Sequence, residues 1–494
     1  MSETQGASAP PAVLRPHVPL GVVVAMSCTA FFMVILDSTI VTLALPQMRT
    51  GLGLSVNEQQ WVLSGYLITL GGFLLLAARA GDLFGRKRVF LFGAVVFTAA
   101  SLAGGLAADP AMLLAARIVQ GVGAAALTPT SLSLITASHT DEDQRRRALA
   151  LWSVMGGVGG TAGVILGGVL TTELSWRWVL FINIPIGAGL FVAALLSLLP
   201  AAASFDWSRL DLPGALSVTL GIGALTYGLS QASSNGWGSS TVVNALVVAV
   251  ILLAGFVAVE ATSSRALIPL ALFRVRGLRV GYLIMLLMGV TMNATFFFIS
   301  LYLQQAIGYS ALRAGLAMVP VTVILIVGGL ASRRLVPIIG PRLMLVIGGL
   351  ISAAGMVWLA WVPTHPAYLA SVLGPTLVAG VGMGFMLLAI TLTGTAGVSP
   401  EDAGAAAGLL NTSRQLGGAI GLAVLVTVAA TATSHAIHHS GYLAALVHGY
   451  HVAFLVSAAV MVVAALAALA LPAAPPAEAK TAESLGEQPV SASS

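Results

Sequence analysis

The chain has 494 residues, of which 58% are hydrophobic and 8% are charged, and its mean hydropathy is +0.98. These values exclude a soluble globular protein, because apolar runs of about 20 residues, long enough for an α-helix to cross ~30 Å of hydrocarbon, recur throughout. The net charge of +5 comes from cations that flank these runs, so it indicates neither nucleic acid nor an acidic partner.

In chain order, hydropathy predicts a block of six helices, then two further helices, then a second block of six. The first block covers 18–45, 60–78, 89–107, 112–137, 148–170 and 179–199. The middle pair covers 211–231 and 242–262, and the second block covers 280–304, 313–331, 343–361, 369–396, 404–431 and 452–471. The predicted fold is therefore an all-α integral membrane protein with about 14 transmembrane helices.

This grouping predicts three membrane domains between two tails. The domains are an N-terminal six-helix bundle at 18–199, an inserted helix pair at 210–262 and a C-terminal six-helix bundle at 280–471. The tails at 1–17 and 472–494 are rich in small and polar residues, so we expect them to be disordered. The single cysteine, Cys28, lies within the first span and cannot form an intrachain disulfide.

The positive charges define the expected orientation in the membrane. Arg117 and Arg414 lie within spans, and only Arg49, Arg177 and Arg313 lie in loops on one side, whereas the other cations lie in the tails or in loops on the opposite side. Cytoplasmic loops carry the excess of Lys and Arg, so both termini are expected in the cytoplasm of a multi-pass protein of the cell membrane.

A faint internal repeat links the two blocks. GDLFGRKR follows the second helix of the first block, and ASRRLVPIIGPR follows the second helix of the second block. Repeated half-bundles related by an axis along the membrane normal are typical of transporters, whose substrate site lies between the halves near the midplane. The repeat therefore favours a transporter over a receptor or an intramembrane enzyme.

Asp37 is the only acidic residue deep within a predicted span. A charge at that depth costs ~2.5 to 3.5 kcal/mol on insertion scales, so it is retained when it carries an ion or a proton, or pairs with a fixed cation. Burial disfavours the charged form of a carboxyl group and a neighbouring cation favours it, which allows proton loading and release. A purely structural ion pair is the alternative.

Arg117 is the expected partner of Asp37, because the two residues are predicted at similar depths, ~8 to 12 Å from the outer helix ends. Gln120 lies three residues further along, on the same helix face, where its amide can bond a substrate or an acid. The alternative for Arg117 is a side chain that reaches back to the near interface.

Several ordered segments resemble the signature motifs of a known family. They are LDSTIVTLALP (36–46), ARAGDLFGRK (78–87), RIVQGVGAA (117–125), GVILGG (163–168) and SWRWVLFINIPIG (175–187). They resemble the major facilitator superfamily, and the first and last are typical of its fourteen-helix drug:proton antiporter branch. LYLQQAIGYS (301–310) and NTSRQLGGAIG (411–421) extend the resemblance into the second block.

The resemblance implies a proton-coupling role for Asp37 and Arg117. It also implies that Asp82, Gly85 and Arg86 belong to a cytoplasmic loop that latches the two halves, although positive-inside topology and a helix cap would explain most of that loop. The sequence departs from the family pattern at Ala78, normally glycine, and at Leu83, normally basic, which weakens the expected latch.

A glycine strip, Gly159, Gly163 and Gly167, repeats every four residues in the fifth span and predicts close approach of another helix. It matches the antiporter motif of the family, which implies a surface on which the halves meet or slide; ordinary tight packing is the alternative. Val164 replaces the usual proline, so the expected kink in this helix is in question.

Candidate substrate contacts come from polar and polarizable side chains on spans expected to face the cleft. Asp37 and Gln120 belong to this set, and Arg414, near the middle of its span, would attract an anion or else serve packing. The remaining candidates are Phe31, Trp61, Tyr66, Asn293, Phe297, Tyr302, Gln304 and Met386.

These observations predict a proton-coupled efflux transporter that exports small amphipathic drugs or toxic organic compounds by alternating access. The alternative is a proton-coupled exporter of a lipid, a fatty acid or an anionic metabolite. No enzymatic activity, metal or cofactor is expected: HExxH, GxSxG and ATP-binding P-loop motifs do not occur, and the energy source would be the proton gradient. The expected partners are the substrate, protons and the bilayer, and the expected assembly is a monomer.

Overall fold

The computed structural model describes residues 18–139, 141–199, 210–263, 275–363, 368–393 and 403–471. Within these ranges, fourteen helices are long and apolar enough to span a membrane, which confirms the predicted fold class and number of spans. The tails predicted to be disordered, 1–17 and 472–494, lie outside the described residues.

The helices follow one another in the predicted order. The first six are α1 (Leu20–Leu52), α2 (Val56–Phe84), α3 (Arg86–Gly105), α4 (Pro110–Ser138), α5 (Glu142–Glu173) and α6 (Trp178–Ser197). The middle pair is α7 (Leu212–Asn235) and α8 (Ser240–Thr262). The last six are α9 (Arg276–Leu301), α10 (Ala311–Ile339), α11 (Pro341–Leu359), α12 (Gly374–Thr393), α13 (Ala403–Ala436) and α14 (Tyr442–Ala468).

Helix α1 extends beyond the predicted end at Leu45. It continues through Pro46 and ends at Gly53, whose φ of +68° closes the helix in the left-handed conformation that glycine adopts without strain. The predicted end was wrong because a proline removes only one backbone donor and does not always stop a membrane helix. Asp37 therefore lies in the middle of a long helix.

Contacts between helices divide the chain into two compact units. Unit 1 comprises Met1–Gly221 and Leu252–Leu267, and unit 2 comprises Ile222–Ile251 and Ile268–Ser494. Helices α7 and α8 each contribute a part to both units.

The two units use the same pattern of helix pairing. In unit 1 the main pairs are α1 with α5, α3 with α4, α2 with α4 and α3 with α6. In unit 2 they are α9 with α13, α11 with α12, α10 with α12 and α11 with α14. Each pair in unit 2 consists of the helices eight places later, so the faint sequence repeat reflects a repeated architecture.

Close glycine contacts reveal the register of this repeat. A Cβ atom at Gly93 would lie 3.0 Å from the Gly123 carbonyl oxygen, and one at Gly348 would lie 2.8 Å from the Gly382 carbonyl oxygen. These matched contacts superpose α3 and α4 on α11 and α12. On that register, Thr376 of unit 2 occupies the position of Arg117 in unit 1.

A second matched contact fixes the register of the first helix in each unit. Gly163 faces the Leu36 carbonyl oxygen, with 2.9 Å between that oxygen and an added Cβ atom, and Gly417 faces the Leu286 carbonyl oxygen in the same way. The residue that follows Leu286 is Leu287, so unit 2 has a leucine where unit 1 has Asp37.

Candidate functional site

The described residues of unit 1 form a buried polar network around Asp37. Asp37 lies on α1, helices α4 and α6 contribute the side chains that bond its carboxylate, and α2 and α3 contribute groups that bond those side chains. The network therefore joins parts of the chain that are far apart in sequence.

Asp37 and Arg117 form a salt bridge in the interior of unit 1. The Arg117 Nη1 atom donates to Asp37 Oδ2 over 2.6 Å, and both side chains are 0% exposed. Arg117 Nε also donates to the Val62 carbonyl oxygen over 3.0 Å, and its guanidinium lies 4.3 Å from the ring centre of Tyr66. The predicted partner is thus in contact with Asp37, and Arg117 does not reach back to the interface.

Gln120 supports the ion pair from one turn further along α4. Its Nε2 atom donates to Asp37 Oδ1 and to Ser101 Oγ, each over 2.8 Å, and its Oε1 atom accepts from Arg117 Nη1 over 2.6 Å. The amide therefore holds the acid and the arginine in a fixed relative orientation.

Asn183 is a member of the network that was not predicted. Its Nδ2 atom donates to Asp37 Oδ1 over 2.8 Å, and the side chain is fully buried near the start of α6. The available signal was an amide within the otherwise apolar segment WVLFINIPIG, because a buried polar side chain in a membrane helix needs a partner.

Within the described ranges, two polar atoms at this centre have no hydrogen-bond partner: Arg117 Nη2 and Asn183 Oδ1. Buried polar groups normally find a partner, so each is a position at which a water molecule would be stabilised. Chemically, the centre presents one arginine and two amides to the Asp37 carboxylate, a donor set suited to a carboxylate in the interior of a protein.

The glycine strip packs α5 directly against α1. A Cβ atom added at Gly159 would lie 2.8 Å from the Phe32 carbonyl oxygen, and one at Gly167 would lie 2.8 Å from the Ile40 carbonyl oxygen. The contacts of this strip lie within unit 1, on the helix that carries Asp37. The expectation that the strip is a surface between the halves therefore needs correction: the described neighbours place it inside one half.

The usual proline position of that helix carries a buried valine. Val164 is 1% exposed, and α5 runs as one helix from Glu142 to Glu173. At this position an aliphatic side chain packs where the family pattern has a proline.

At the loop between α2 and α3, Gly85 has a φ of +93°, which the sharp turn between two helices requires. Arg86 lies 3.9 Å from Asp82 in a partly exposed ion pair. Leu83, at a position that is basic in the family pattern, packs with Ala80 beside Phe84 in an apolar cluster. The turn and the ion pair of the predicted latch are present, whereas its latching role stays a prediction.

Lys87 has a role that its position in a basic loop did not reveal. Its Nζ atom donates to the carbonyl oxygens of Leu195 and Leu198 over 3.0 and 2.6 Å. These carbonyls lie at the end of α6, so the cation binds the negative end of that helix.

The predicted substrate contacts of unit 1 lie at different depths. Phe31 is half-buried and stacks on Trp152 with 3.8 Å between ring centres, and Trp61 is also half-buried. Tyr66 is 1% exposed and belongs to the Arg117 environment. Tyr66 therefore contacts Arg117 of the buried ion pair, whereas Phe31 and Trp61 keep exposed surface.

In unit 2 the predicted contacts divide in the same way. The buried members are Phe297, Tyr302 and Met386, and the Tyr302 hydroxyl donates to the Pro363 carbonyl oxygen over 2.6 Å. The half-buried members are Asn293, Gln304 and Arg414. The three buried side chains pack inside unit 2, so their substrate contact stays a prediction that the packing does not favour.

Comparisons with known proteins agree with the sequence motifs. The family model of the Major Facilitator Superfamily matches residues 27–422. The cephamycin export protein CmcT of Amycolatopsis lactamdurans is 42% identical over 91% of this chain and 92% of its own length. The puromycin resistance protein pur8 of Streptomyces alboniger is 38% identical over 90% of this chain and 89% of its own.

Solved structures share the fold at low sequence identity. A bacterial homologue of the human lysosomal transporter Spinster has a TM-score of 0.62 and 18% identity, covering 91% of this chain and 96% of its own. The xylose transporter XylE of E. coli has a TM-score of 0.61 and 13% identity, covering 95% of this chain and all of its own. At these identities the likeness concerns the fold alone.

Proposed function

This chain belongs to the major facilitator superfamily, and from that premise we propose that it is a proton-coupled antiporter that exports small amphipathic organic compounds. The relatives named above are an antibiotic export protein and an antibiotic resistance protein, which supports a drug-like substrate. A tetracenomycin C resistance and export protein of Streptomyces glaucescens, 33% identical over 80% of this chain and 73% of its own length, adds a chemically different antibiotic.

The observation that carries the proposal is the buried Asp37–Arg117 pair. A fully buried ion pair is a costly way to stabilise a helix bundle, and apolar residues of similar volume often serve as well or better. A transporter can use such a pair, because a proton that binds Asp37 removes the negative charge that holds Arg117. The pair is thus suited to coupling proton transfer to a change in helix packing.

The proposed cycle uses protonation to change what Arg117 interacts with. A proton that enters from the outer side neutralises Asp37, and the guanidinium then loses its anionic partner while the two amides remain. This change favours opening toward the cytoplasm, where the proton leaves. The ionised Asp37 carboxylate then bonds Arg117 again. The transporter returns to its outward-facing state with the substrate bound.

The energetics suit export against a gradient. The membrane potential contributes ~2.3 kcal/mol per elementary charge per 100 mV, so the exchange of one inward proton for one neutral molecule is driven by both voltage and the pH difference. Exchange for a monovalent cation is driven by the pH difference alone. The proposal places the protein in the cell membrane as a monomer with both termini in the cytoplasm.

The test is drug-dependent proton movement in proteoliposomes that contain a pH-sensitive dye. The wild type should move protons when puromycin or a cephamycin is added on the side from which it is exported. Asp37→Asn keeps the shape of the side chain but cannot bind a proton at neutral pH, so proton movement should fall to background, by ~100-fold or more.

Asp143→Asn is the matched control, because Asp143 is an exposed acid in the first turn of α5, outside the buried network. It loses the same charge and should leave proton movement unchanged. Undiminished drug-dependent proton flux in Asp37→Asn, with normal folding, would refute proton coupling through this acid.

A further inference from the structure

Arg117 and Arg414 are the two arginines that the sequence placed within predicted spans, and their surroundings differ sharply. Arg117 is fully buried and is bonded by a carboxylate, an amide oxygen and a backbone carbonyl. Arg414 of α13 is half-buried, and its hydrogen bond within the described residues is to Asn411 Oδ1, over 2.9 Å. One guanidinium has its countercharge in the protein, and the other is held by a neutral amide.

No carboxylate in unit 2 is available to Arg414 among the residues that the structure describes. The acids of unit 2, such as Glu401 and Asp402, all lie outside the described ranges, and the described ion pairs do not include Arg414. Arg414 cannot escape its charge by deprotonation, because a guanidinium stays protonated in proteins. An ionisable side chain within a membrane-spanning helix indicates a functional site, and the positive charge of Arg414 favours an anionic ligand there.

Arg414 lies within α13 and away from both of its ends. It is the twelfth of the 34 residues of α13, which starts at Ala403, so it lies ~16 Å along the helix axis at 1.5 Å per residue. Its backbone carbonyl faces Gly289 of α9 at a close helix contact, which fixes this part of α13.

A second group in unit 2 is a donor without an acceptor. The Nδ2 atom of Asn293 on α9 is buried and has no hydrogen-bond partner in the part of the chain that the structure describes, although its side chain keeps some exposed surface. Helix α9 is the helix that packs on α13. The Arg414 guanidinium and the Asn293 amide therefore both favour a ligand that accepts hydrogen bonds, and neither attracts a cationic ligand.

We propose that Arg414 binds the carboxylate or a similar oxyanion of an amphipathic substrate, so that unit 2 selects monoanionic over neutral and cationic compounds. A guanidinium binds a carboxylate through two parallel N–H···O bonds, which gives orientation as well as attraction. This inference rests on the proposed export function and names its substrate class.

The test compares two probes that differ only in charge. One is a cephalosporin with a free carboxylate, and the other is the methyl ester of the same compound. Binding is measured by calorimetry on the full-length protein in nanodiscs of zwitterionic phosphatidylcholine. The wild type should bind the acid at least about tenfold more tightly than the ester, whereas Arg414→Gln should bind both about equally.

Two variants complete the design. Arg414→Lys keeps the charge, so it should retain part of the preference and shows that a loss in Arg414→Gln is not misfolding. Arg313→Gln removes a cation at an exposed position over the Tyr309 ring, 4.1 Å from its centre, and should keep the full preference. Equal binding of acid and ester by the wild type, or an unchanged preference in Arg414→Gln, would overturn the inference.

An anionic lipid could present the same oxyanion, and a second set of nanodiscs that contains phosphatidylglycerol distinguishes this source. If phosphatidylglycerol binds in an Arg414-dependent way and the soluble acid does not, the substrate assignment is wrong. The outcome is also separable from the proposed function. Loss of proton movement in Asp37→Asn tests coupling, whereas the acid-to-ester ratio at equilibrium needs no proton gradient.

Discussion

Units 1 and 2 share an architecture but not a chemistry. Their helices pair in the same pattern, and glycines allow close contact at matching positions in both. Yet Asp37 and Arg117 of unit 1 correspond to Leu287 and Thr376 of unit 2, so the repeat carries its charged centre once.

What unit 2 has in place of that centre is a set of weak polar contacts. The Thr291 hydroxyl donates to its own helix and approaches the Met461 sulfur at 3.6 Å, and the Thr295 hydroxyl approaches the Met356 sulfur at 3.5 Å. Met356 occupies the position of Ser101 in the repeat. Close helix packing therefore needs only the small residues that both units share, and the Asp37–Arg117 ion pair is not required for it.

The largest expected effect comes from removing one partner of the charged pair. Arg117→Met leaves a buried carboxylate without its cation and should lower the free energy of unfolding by about 3–5 kcal/mol. At the matching position of unit 2, Thr376→Val removes a hydroxyl that bonds only its own helix and should cost at most about 1 kcal/mol. Reversible unfolding in mixed micelles measures both.

A double variant sharpens this first prediction. Asp37→Leu together with Arg117→Met makes unit 1 resemble unit 2 and should recover more than half of the stability lost in Arg117→Met alone. If the two single losses simply add in the double variant, the pair is not coupled as its 2.6 Å contact indicates.

The next effect in size concerns Asn183. Asn183→Ala removes one of the donors to the Asp37 carboxylate and should cost about 1.5–3 kcal/mol. Because that donor bonds the Asp37 carboxylate directly, its loss should also lower the rate of drug-dependent proton uptake. Uptake in proteoliposomes checks this, and an unchanged rate would reduce Asn183 to a packing residue.

The glycine contacts test what the two units have in common. Gly167→Ala and Gly421→Ala both introduce a Cβ atom against a backbone carbonyl, that of Ile40 and that of Val290, so each should cost about 1–3 kcal/mol by forcing the helices apart. Gly160→Ala is the matched control, because its Cβ atom would lie 4.0 Å from Ile35 Cγ2, an ordinary contact. Unequal costs of the two contact variants in an unfolding series would show that the repeat is only approximate.

The smallest expected effect concerns two basic residues at matching positions, Lys87 in unit 1 and Arg342 in unit 2. Lys87→Met removes a cation from the end of α6 and should cost about 0.3–1 kcal/mol. Gly85 and Gly340 occupy the same turn in the two units and both have positive φ, so Arg342 corresponds to Lys87. Arg342→Met should be close to neutral, since no hydrogen bond of its side chain occurs among the described residues, and thermal unfolding can compare the two.

Much of the fold could be predicted because the bilayer constrains it. Hydropathy predicted fourteen helices, and the acid in the first span predicted a buried partner, which is Arg117. The spacing of Gly159, Gly163 and Gly167 placed them on one helix face in close contact with another helix, but it did not identify that helix as α1.

The sequence by itself determined the number of spans, the repeat of helices and the presence of one intramembrane acid, because a ~30 Å hydrocarbon layer fixes helix length and penalises charge. Only the tertiary structure decided that Asn183 reaches Asp37 across 146 residues and that, among the described residues, Arg117 bonds a carboxylate whereas Arg414 bonds the amide of Asn411. The reason is that membrane helices are apolar on all faces, so hydropathy does not reveal their rotation, and rotation decides which polar groups meet.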